Sequence, residues 1–285
     1  MNNKILILGV SGFIGNAIYK ELLPYFDVYG TYCTSKLDFD ENKVLYKFDV
    51  ANDTIEDLLD KIQPNYIISS LRGDYTSQIS VHEQLVKYAL KNEHCRILYL
   101  STVNVFDAKF KFPSYENDLV LADSDYGRFK ISVEKIIATL PVSKFAILRL
   151  PLVIGVNSPR IVQLKQSSKH QADFEVYPNL IISITTANKI AQQIHYIINK
   201  NKFGIFHLAS NDVIHHNDLF EELSKKLSLN TIIFKQVFTT NEDAYLAILP
   251  KDNKLPRNYR TTVSKVIDEC TLKEEIGSLI NKKVI

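Results

Sequence analysis

The feature that most limits what this chain can fold into is the alternation of short β-branched runs with amphipathic helical patterns along its first half. Lys4–Leu8 reads as a buried strand, and within Gly12–Leu23 the residues Phe13, Ile14, Ala17, Ile18 and Leu22 share one helical face. Further strands are expected near Asp27–Cys33 and Val44–Asp49. Asp53–Ile62 predicts a helix, because Ile55, Leu58, Leu59 and Ile62 keep the i, i+3, i+4, i+7 spacing and Asp53 with Glu56 resembles a capping box. Strand Tyr66–Ser70, helix Ser77–Leu90, strand Arg96–Ser101, helix Tyr126–Leu140 and strand Phe145–Leu150 follow. Strands separated by amphipathic helices form a parallel sheet covered on both faces. The fold class is therefore α/β, a doubly wound parallel sheet.

After Pro151 the rhythm loosens. Residues Gly155–Ile184 carry Pro159, Pro178 and a polar Gln/Ser/Lys/His stretch, and are expected to be irregular or inserted structure. Alternation returns with a helix at Ala187–Asn199 and a strand at Gly204–Leu208. The tail holds a helix at Asp218–Leu227, a strand near Thr231–Val237 and a short last helix near Leu272–Ile280. It reads as a smaller lobe packed over the sheet.

Composition excludes several classes. The chain has 285 residues, 34 basic against 32 acidic, for a net charge of +2, which is not the footprint of a nucleic-acid binder. No apolar run approaches the roughly 18–20 residues of a spanning helix, and the start, Met1–Gly9, lacks the pattern of a signal peptide. Cys33, Cys95 and Cys270 are scattered and odd in number, so a reduced, cytoplasmic setting is expected. No metal site is expected, since His215 and His216, the only close histidine pair, would point to opposite faces of a strand.

The chemistry begins at Gly9-Val10-Ser11-Gly12-Phe13-Ile14-Gly15, between the first strand and the first helix. A first glycine permits the tight turn, a second lets backbone approach a pyrophosphate and a third lets helix pack on strand, while the helix N-terminus attracts phosphate. Three of only nine glycines fall in this turn. Such a motif usually has a carboxylate about 20 positions on for the ribose 2′-hydroxyl. Gly30–Lys36 offers none at the strand end, so a 2′-phosphate is tolerated, with Thr31, Ser35 and Lys36 as candidate contacts. The cofactor is read as NADP in preference to NAD. This assigns residues 1–155 to a dinucleotide-binding domain, to which 187–210 returns, and 156–285 to a substrate lobe. A P-loop is excluded, because Gly15 is followed by Asn16-Ala17 and not by Lys-Ser/Thr.

Tyr126-Gly127-Arg128-Phe129-Lys130 sets a tyrosine and a lysine one helical turn apart. The same spacing recurs at Tyr32/Lys36 and Tyr196/Lys200. Position singles out Tyr126, which opens a helix after the strand ending in Ser101-Thr102, at the carboxyl edge where α/β sheets bind ligands. A lysine beside a tyrosine favours the phenolate, and Thr102 is placed to hydrogen-bond a reacting oxygen. His82 reads as a half-buried helix residue. Arg72 reads equally as a phosphate contact or a solvated loop residue.

These segments resemble the extended short-chain dehydrogenase/reductases, and within them the dTDP-4-dehydrorhamnose reductase-like group of sugar-nucleotide reductases and epimerases. The resemblance rests on Gly9–Gly15, Asp49-Val50, Leu100-Ser101-Thr102-Val103-Asn104-Val105-Phe106-Asp107, Pro113–Asp118, Tyr126–Lys130 with Glu134, and Leu148-Arg149-Leu150-Pro151 with Gly155, in family order. It implies a catalytic set of Thr102, Tyr126 and Lys130, adenine contacts at Asp49 and Val50, and Leu150 and Leu152 lining a nicotinamide pocket. Ser70 and Leu71 would line the cofactor site where the family carries an Asn-Ala-Ala run, and Val103 stands where these reductases usually carry an acid. It further implies reduction of the 4-keto group of a nucleotide-linked deoxysugar, and a homodimer formed through helices like 77–90 and 126–140. The alternatives are an NAD-dependent epimerase, or a dinucleotide-binding regulator of the same fold without turnover.

Overall fold

The structure, a computed structural model, describes residues 3–34, 44–229 and 231–272. The first half forms β1 (Lys4–Leu8), α1 (Phe13–Leu22), β2 (Asp27–Tyr32), β3 (Leu45–Lys47), α2 (Ile55–Ile62), β4 (Tyr66–Ser69), α3 (Tyr75–Lys91), β5 (Arg96–Thr102), α4 (Asp125–Ile137) and β6 (Phe145–Leu150). The second half adds β7 (Leu152–Ile154), α5 (Pro159–His170), β8 (Asp173–Val176), β9 (Leu180–Ile182), β10 (Ile184–Thr186), α6 (Ala187–Asn199) and β11 (Gly204–His207). It ends with β12 (Ile214–His215), α7 (His216–Lys226), β13 (Ile233–Gln236), β14 (Ala244–Leu246) and α8 (Val263–Cys270).

Seven strands make one parallel sheet in the order β11-β6-β5-β4-β1-β2-β3. Chain order reverses between β1 and β4, and the crevice beyond their carboxyl ends is where such a sheet receives a ligand. The central strands are apolar without alternation because both faces are covered: every residue of β4, β5 and β6 is buried. On one face Ile18 and Leu22 of α1 and Ile190, Ile194 and Ile197 of α6 pack on Ile5, Ile7 and Leu148. On the other, Leu59 of α2, Leu85 of α3 and Val133 of α4 pack on Leu6, Ile67 and Ile97. β11 extends the sheet beside β6, so the chain returns to this layer after the excursion through 152–186.

The region 155–184 is more regular than its composition suggested. Pro159 sits in the first turn of α5, where a missing N–H costs nothing, so it opens a helix instead of breaking one. β8, β9 and β10 are three or four residues long and pair with β13, with β12 and β14, and with β7. Strands this short carry no periodicity, and their partners are remote in sequence. Together with α5, α7 and α8 they enclose a separate core around Phe174, Phe220 and Ile267. At α2 the expected capping box does not form. The N-cap is Thr54, and the Asp53 carboxylate accepts the backbone N–H of Asp49 at 2.7 Å, closing the preceding turn instead. The last helix expected near Leu272–Ile280 lies, beyond Leu272, outside the described residues, and α8 just before it was not anticipated.

Candidate active site

The glycine turn stands at the carboxyl end of β1, against Ser70 at the end of β4. Gly9 holds φ +92°, and a Cβ on Gly15 would lie 2.1 Å from the Gly9 carbonyl oxygen, so both are required by the backbone itself. Gly12 differs. Its φ and ψ of −76° and 157° suit any residue, and a Cβ there would meet nothing nearer than the Gly9 oxygen at 3.4 Å. Chain neighbours aside, no other described residue comes within 4 Å of that Cβ. The N-terminus of α1 opens there, with Gly12 as an N-cap that offers no side chain and no acidic residue in the first turn. First-turn N–H groups of a helix lack internal partners and attract anions. A cavity of about 430 Å³ runs from this turn past Thr31, Cys33, Asp49, Val50, Ser70, Leu71 and Arg72. These features fit the pyrophosphate and adenosine half of a dinucleotide.

The polar residues of this cavity divide by occupation. Thr31 is buried and its hydroxyl accepts from the Gly9 N–H at 3.1 Å, so it braces the turn. Ser70 Oγ donates to the Leu8 carbonyl at 2.7 Å. Asp49 accepts from the Ala51 N–H at 3.0 Å and from Asn52 Nδ2 at 2.9 Å, which hold its carboxyl below the usual range. Ser35 and Lys36 lie outside the described residues. Leu150 is buried in the sheet's core directly across from Thr102 in the β5–β6 register, while Leu152 packs half-buried against the core of the second lobe. Neither of them lines the cavity of the turn.

Tyr126 and Lys130 lie in the first two turns of α4. The helix can start here because Asp107 and Ser124 hold its end: Asp107 Oδ1 accepts from the Asp123 N–H at 2.6 Å, and Ser124 Oγ donates to Asp107 and accepts from the Gly127 N–H. Gly127 permits the approach of α4 to the preceding turn, since a Cβ there would fall 2.3 Å from the Asn104 oxygen. Lys130 Nζ donates to the Leu100 carbonyl at 2.9 Å, lies 4.7 Å from the centre of the Tyr99 ring and 5.8 Å from that of Tyr126. Burial pushes this ammonium down to about 8, against the opposing pull of the Glu134 carboxylate. Tyr126, 39% exposed, has its phenol raised by desolvation, which the Thr102 hydroxyl and the Arg72 guanidinium partly offset. Thr102 Oγ1 donates to Asn104 Oδ1 at 2.9 Å. Of the other tyrosine–lysine pairs, Tyr32 is buried in the core and Tyr196 packs on Tyr259, 4.4 Å between ring centres, on the α6 side.

Behind the pair lies a buried network that sequence reasoning quoted as motif but did not interpret. Arg149 donates to both oxygens of Glu134, at 3.1 and 2.8 Å, and to the Glu116 carbonyl at 3.1 Å. Ser101 Oγ donates to Glu134 at 2.5 Å. Glu116 in turn accepts the N–H groups of Lys251 and Asp252, tying the 107–124 loop to the second lobe. His82 is fully buried, not half-buried: its Nδ1 faces the Gln78 carbonyl at 2.6 Å, so Nε2 accepts the Ser69 hydroxyl at 2.9 Å. Burial pushes it down to about 4, so it is neutral at physiological pH. Among the described residues no cluster of three His, Cys, Asp or Glu side chains could hold a metal, and no helix is long and apolar enough to cross a membrane.

Comparison with known proteins agrees with this fold. A curated dTDP-4-dehydrorhamnose reductase of Aggregatibacter actinomycetemcomitans is 26% identical over 276 residues, covering 88% of this chain and 90% of the relative. A dTDP-4-dehydrorhamnose reductase from Bacillus anthracis, solved in complex with NADP, superposes with a TM-score of 0.75 at 15% identity, over 94% of this chain and 98% of the other. The Bordetella bronchiseptica enzyme WbmH, solved with NAD+, gives a TM-score of 0.76 at 18% identity, over 94% and 97%. Residues 3–282, nearly the whole chain, match the family described as RmlD substrate binding domain, and with the seven-stranded Rossmann-type sheet and the reductase relatives this makes the chain a member of that family, among the sugar-nucleotide oxidoreductases of the extended short-chain dehydrogenase type.

Proposed function

We propose that this chain reduces the 4-keto group of a nucleotide-linked deoxysugar with NADPH, Tyr126 giving the proton. The observation that carries this reading is the placement of Tyr126, Lys130 and Thr102 together at the carboxyl end of β5, beside a turn whose open helix end suits a pyrophosphate. Bound there, a reduced nicotinamide would supply the hydride. The chain's own residues do the rest. Phe13 and Ile14 offer backbone N–H groups at the α1 terminus, Thr102 orients the reacting oxygen, and Tyr126 Oη delivers the proton to it. Lys130, fixed by the Leu100 carbonyl, stabilises the phenolate that is left.

The preference for NADPH rests on the end of β2. Tyr32, Cys33 and Thr34 set no carboxylate against a 2′-phosphate, and Asp49 on the cavity wall is engaged by Ala51 and Asn52. Reduction is favoured over dehydration by the two positions after Thr102. Val103 is buried among Val105, Phe106 and Ile248, and Asn104 accepts the Thr102 hydroxyl, so neither supplies an acid or base. An epimerase needs a nicotinamide that stays bound and is regenerated at each turnover, whereas a reductase exchanges it.

The test is a turnover assay with a 4-keto dTDP-deoxysugar. Purified protein should oxidise NADPH in step with sugar reduced, and Tyr126→Phe should lose roughly 10²–10⁴-fold in rate while Tyr196→Phe stays near wild type. Product formed without net NADPH oxidation, by protein isolated with tightly bound NAD, would refute reduction in favour of epimerisation. Equal losses in the two tyrosine variants would refute the role of Tyr126.

A further inference from the structure

Glu134 has no place in the function described so far. It follows Lys130 by four residues on α4, and side chains so spaced are neighbours on a helix, about 5–6 Å apart at Cβ. Both are deep in the protein, Lys130 6% and Glu134 5% exposed. Each is tied to the end of β5. Lys130 Nζ donates to the Leu100 carbonyl at 2.9 Å, and Glu134 Oε1 accepts from the hydroxyl of the next residue, Ser101, at 2.5 Å. Thr102 comes directly after and ends the strand. Two successive residues of β5 thus hold α4, one through each member of the Lys130–Glu134 pair.

Arg149 fixes the same carboxylate from β6. Oε1 accepts from Arg149 Nε at 3.1 Å and Oε2 from Nη2 at 2.8 Å, so with Ser101 both oxygens are engaged. Arg149 is 3% exposed, and two buried cations therefore share one buried carboxylate. The groups that face Lys130 come from every element around it: Tyr99 of β5, Tyr126, Phe129 and Glu134 of α4, His82 of α3, and Arg72 of the β4–α3 loop. Of these only Glu134 is an acid, and His82 is neutral at physiological pH. A buried ammonium without a counter-charge gives up its proton.

We propose that Glu134 is a positioning residue of the acid–base centre: held by Ser101 and Arg149, it keeps Lys130 at the Leu100 carbonyl and in the ammonium form that stabilises the Tyr126 phenolate. This role rests on Tyr126 as the proton donor and Lys130 as its partner. Without the carboxylate, Lys130 would be left with a carbonyl and aromatic rings, where burial favours the neutral amine, and an amine brings no charge to a phenolate. Arg149 serves differently. Its fork admits one placement of the carboxylate, the one that also meets Ser101.

The experiment reads Lys130 directly, without cofactor or sugar. The ε-carbon shift of a ¹³C-labelled lysine follows its ionisation, so NMR titration gives the midpoint of Lys130, its signal assigned by its loss in Lys130→Met. Burial sets that midpoint at about 8 in the wild type. Glu134→Gln should lower it by about one pH unit or more, which at about pH 8 cuts the ammonium fraction, and with it kcat, about fivefold. Arg149→Lys keeps a cation for Glu134 but loses the fork, so its urea midpoint should fall while Lys130 titrates within about 0.3 pH unit of wild type. Glu134→Gln/Arg149→Met should recover stability and still show the lowered Lys130 midpoint, and it replaces Glu134→Gln where that variant is too unstable to titrate. A Lys130 midpoint that does not move when Glu134 is replaced, or that follows stability across the three variants, overturns the proposal and leaves Glu134 a structural partner of Arg149 alone. Absence of keto-sugar turnover in the wild type, with the midpoints moved as stated, would refute the substrate reading and leave the hold of Glu134 on Lys130 standing.

Discussion

Replacement of Gly12 by valine separates the needs of the fold from those of a ligand. The backbone at Gly12, φ −76° and ψ 157°, is one that valine adopts readily, and the new Cβ would sit at ordinary contact distance, 3.4 Å, from the Gly9 oxygen. Stability should therefore change by less than about 1 kcal/mol. The two γ-methyls, however, enter the space in front of the α1 N-terminus, where, chain neighbours aside, no described residue but Gly9 comes within 4 Å of that Cβ. Two charge-assisted hydrogen bonds to a pyrophosphate, at roughly 1.5–3 kcal/mol each, are then lost, which is about 10²–10⁴-fold in dissociation constant. Gly15→Ala is the contrasting variant, because its Cβ would fall 2.1 Å from the Gly9 oxygen and the turn itself must move. Calorimetric titration with NADPH and NADH, paired with thermal melts, reads both effects. The reasoning fails if Gly12→Val binds NADPH within threefold of wild type, or if its melting temperature falls as far as that of Gly15→Ala.

Two further outcomes follow from the buried polar groups. Glu134→Gln strips the charge from the partner of Arg149 and should cost about 3–5 kcal/mol in urea unfolding, with Glu134→Gln/Arg149→Met recovering much of it; a single variant within 1 kcal/mol of wild type would show the pair to be dispensable. His82, His207 and His216 are pushed down to about 4, 3 and 4 by burial. Because their folded values lie below the unfolded one, the unfolded chain binds more protons and stability falls as pH drops below about 6.5, by on the order of 2 kcal/mol per histidine near pH 5. Urea midpoints at about pH 7.5 and 5 should show this loss, and His82→Gln should remove about a third of it; an unchanged difference would mean that His82 is already solvated.

The sheet and its ligand edge were legible in the sequence because their determinants are local. Strands buried on both faces read as unbroken β-branched runs, α1, α2 and α6 as apolar stripes, and the glycine turn as a spacing that backbone geometry enforces. Tyr126 and Lys130 were legible as a pair one turn apart, although only position in the fold separates them from Tyr196 and Lys200. Other features depend on contacts between residues far apart in the chain, and these the tertiary structure alone decided. The three- and four-residue strands of 152–186 are stable only through remote partners. Glu134 meets Arg149 across the α4–β6 packing, and Glu116 meets Lys251 across 135 residues. Arg72 was undecidable as a sequence feature, since a loop arginine is usually solvated. In the structure it is exposed on the cavity wall, where Asp49 and Asp74 are taken by their own turns.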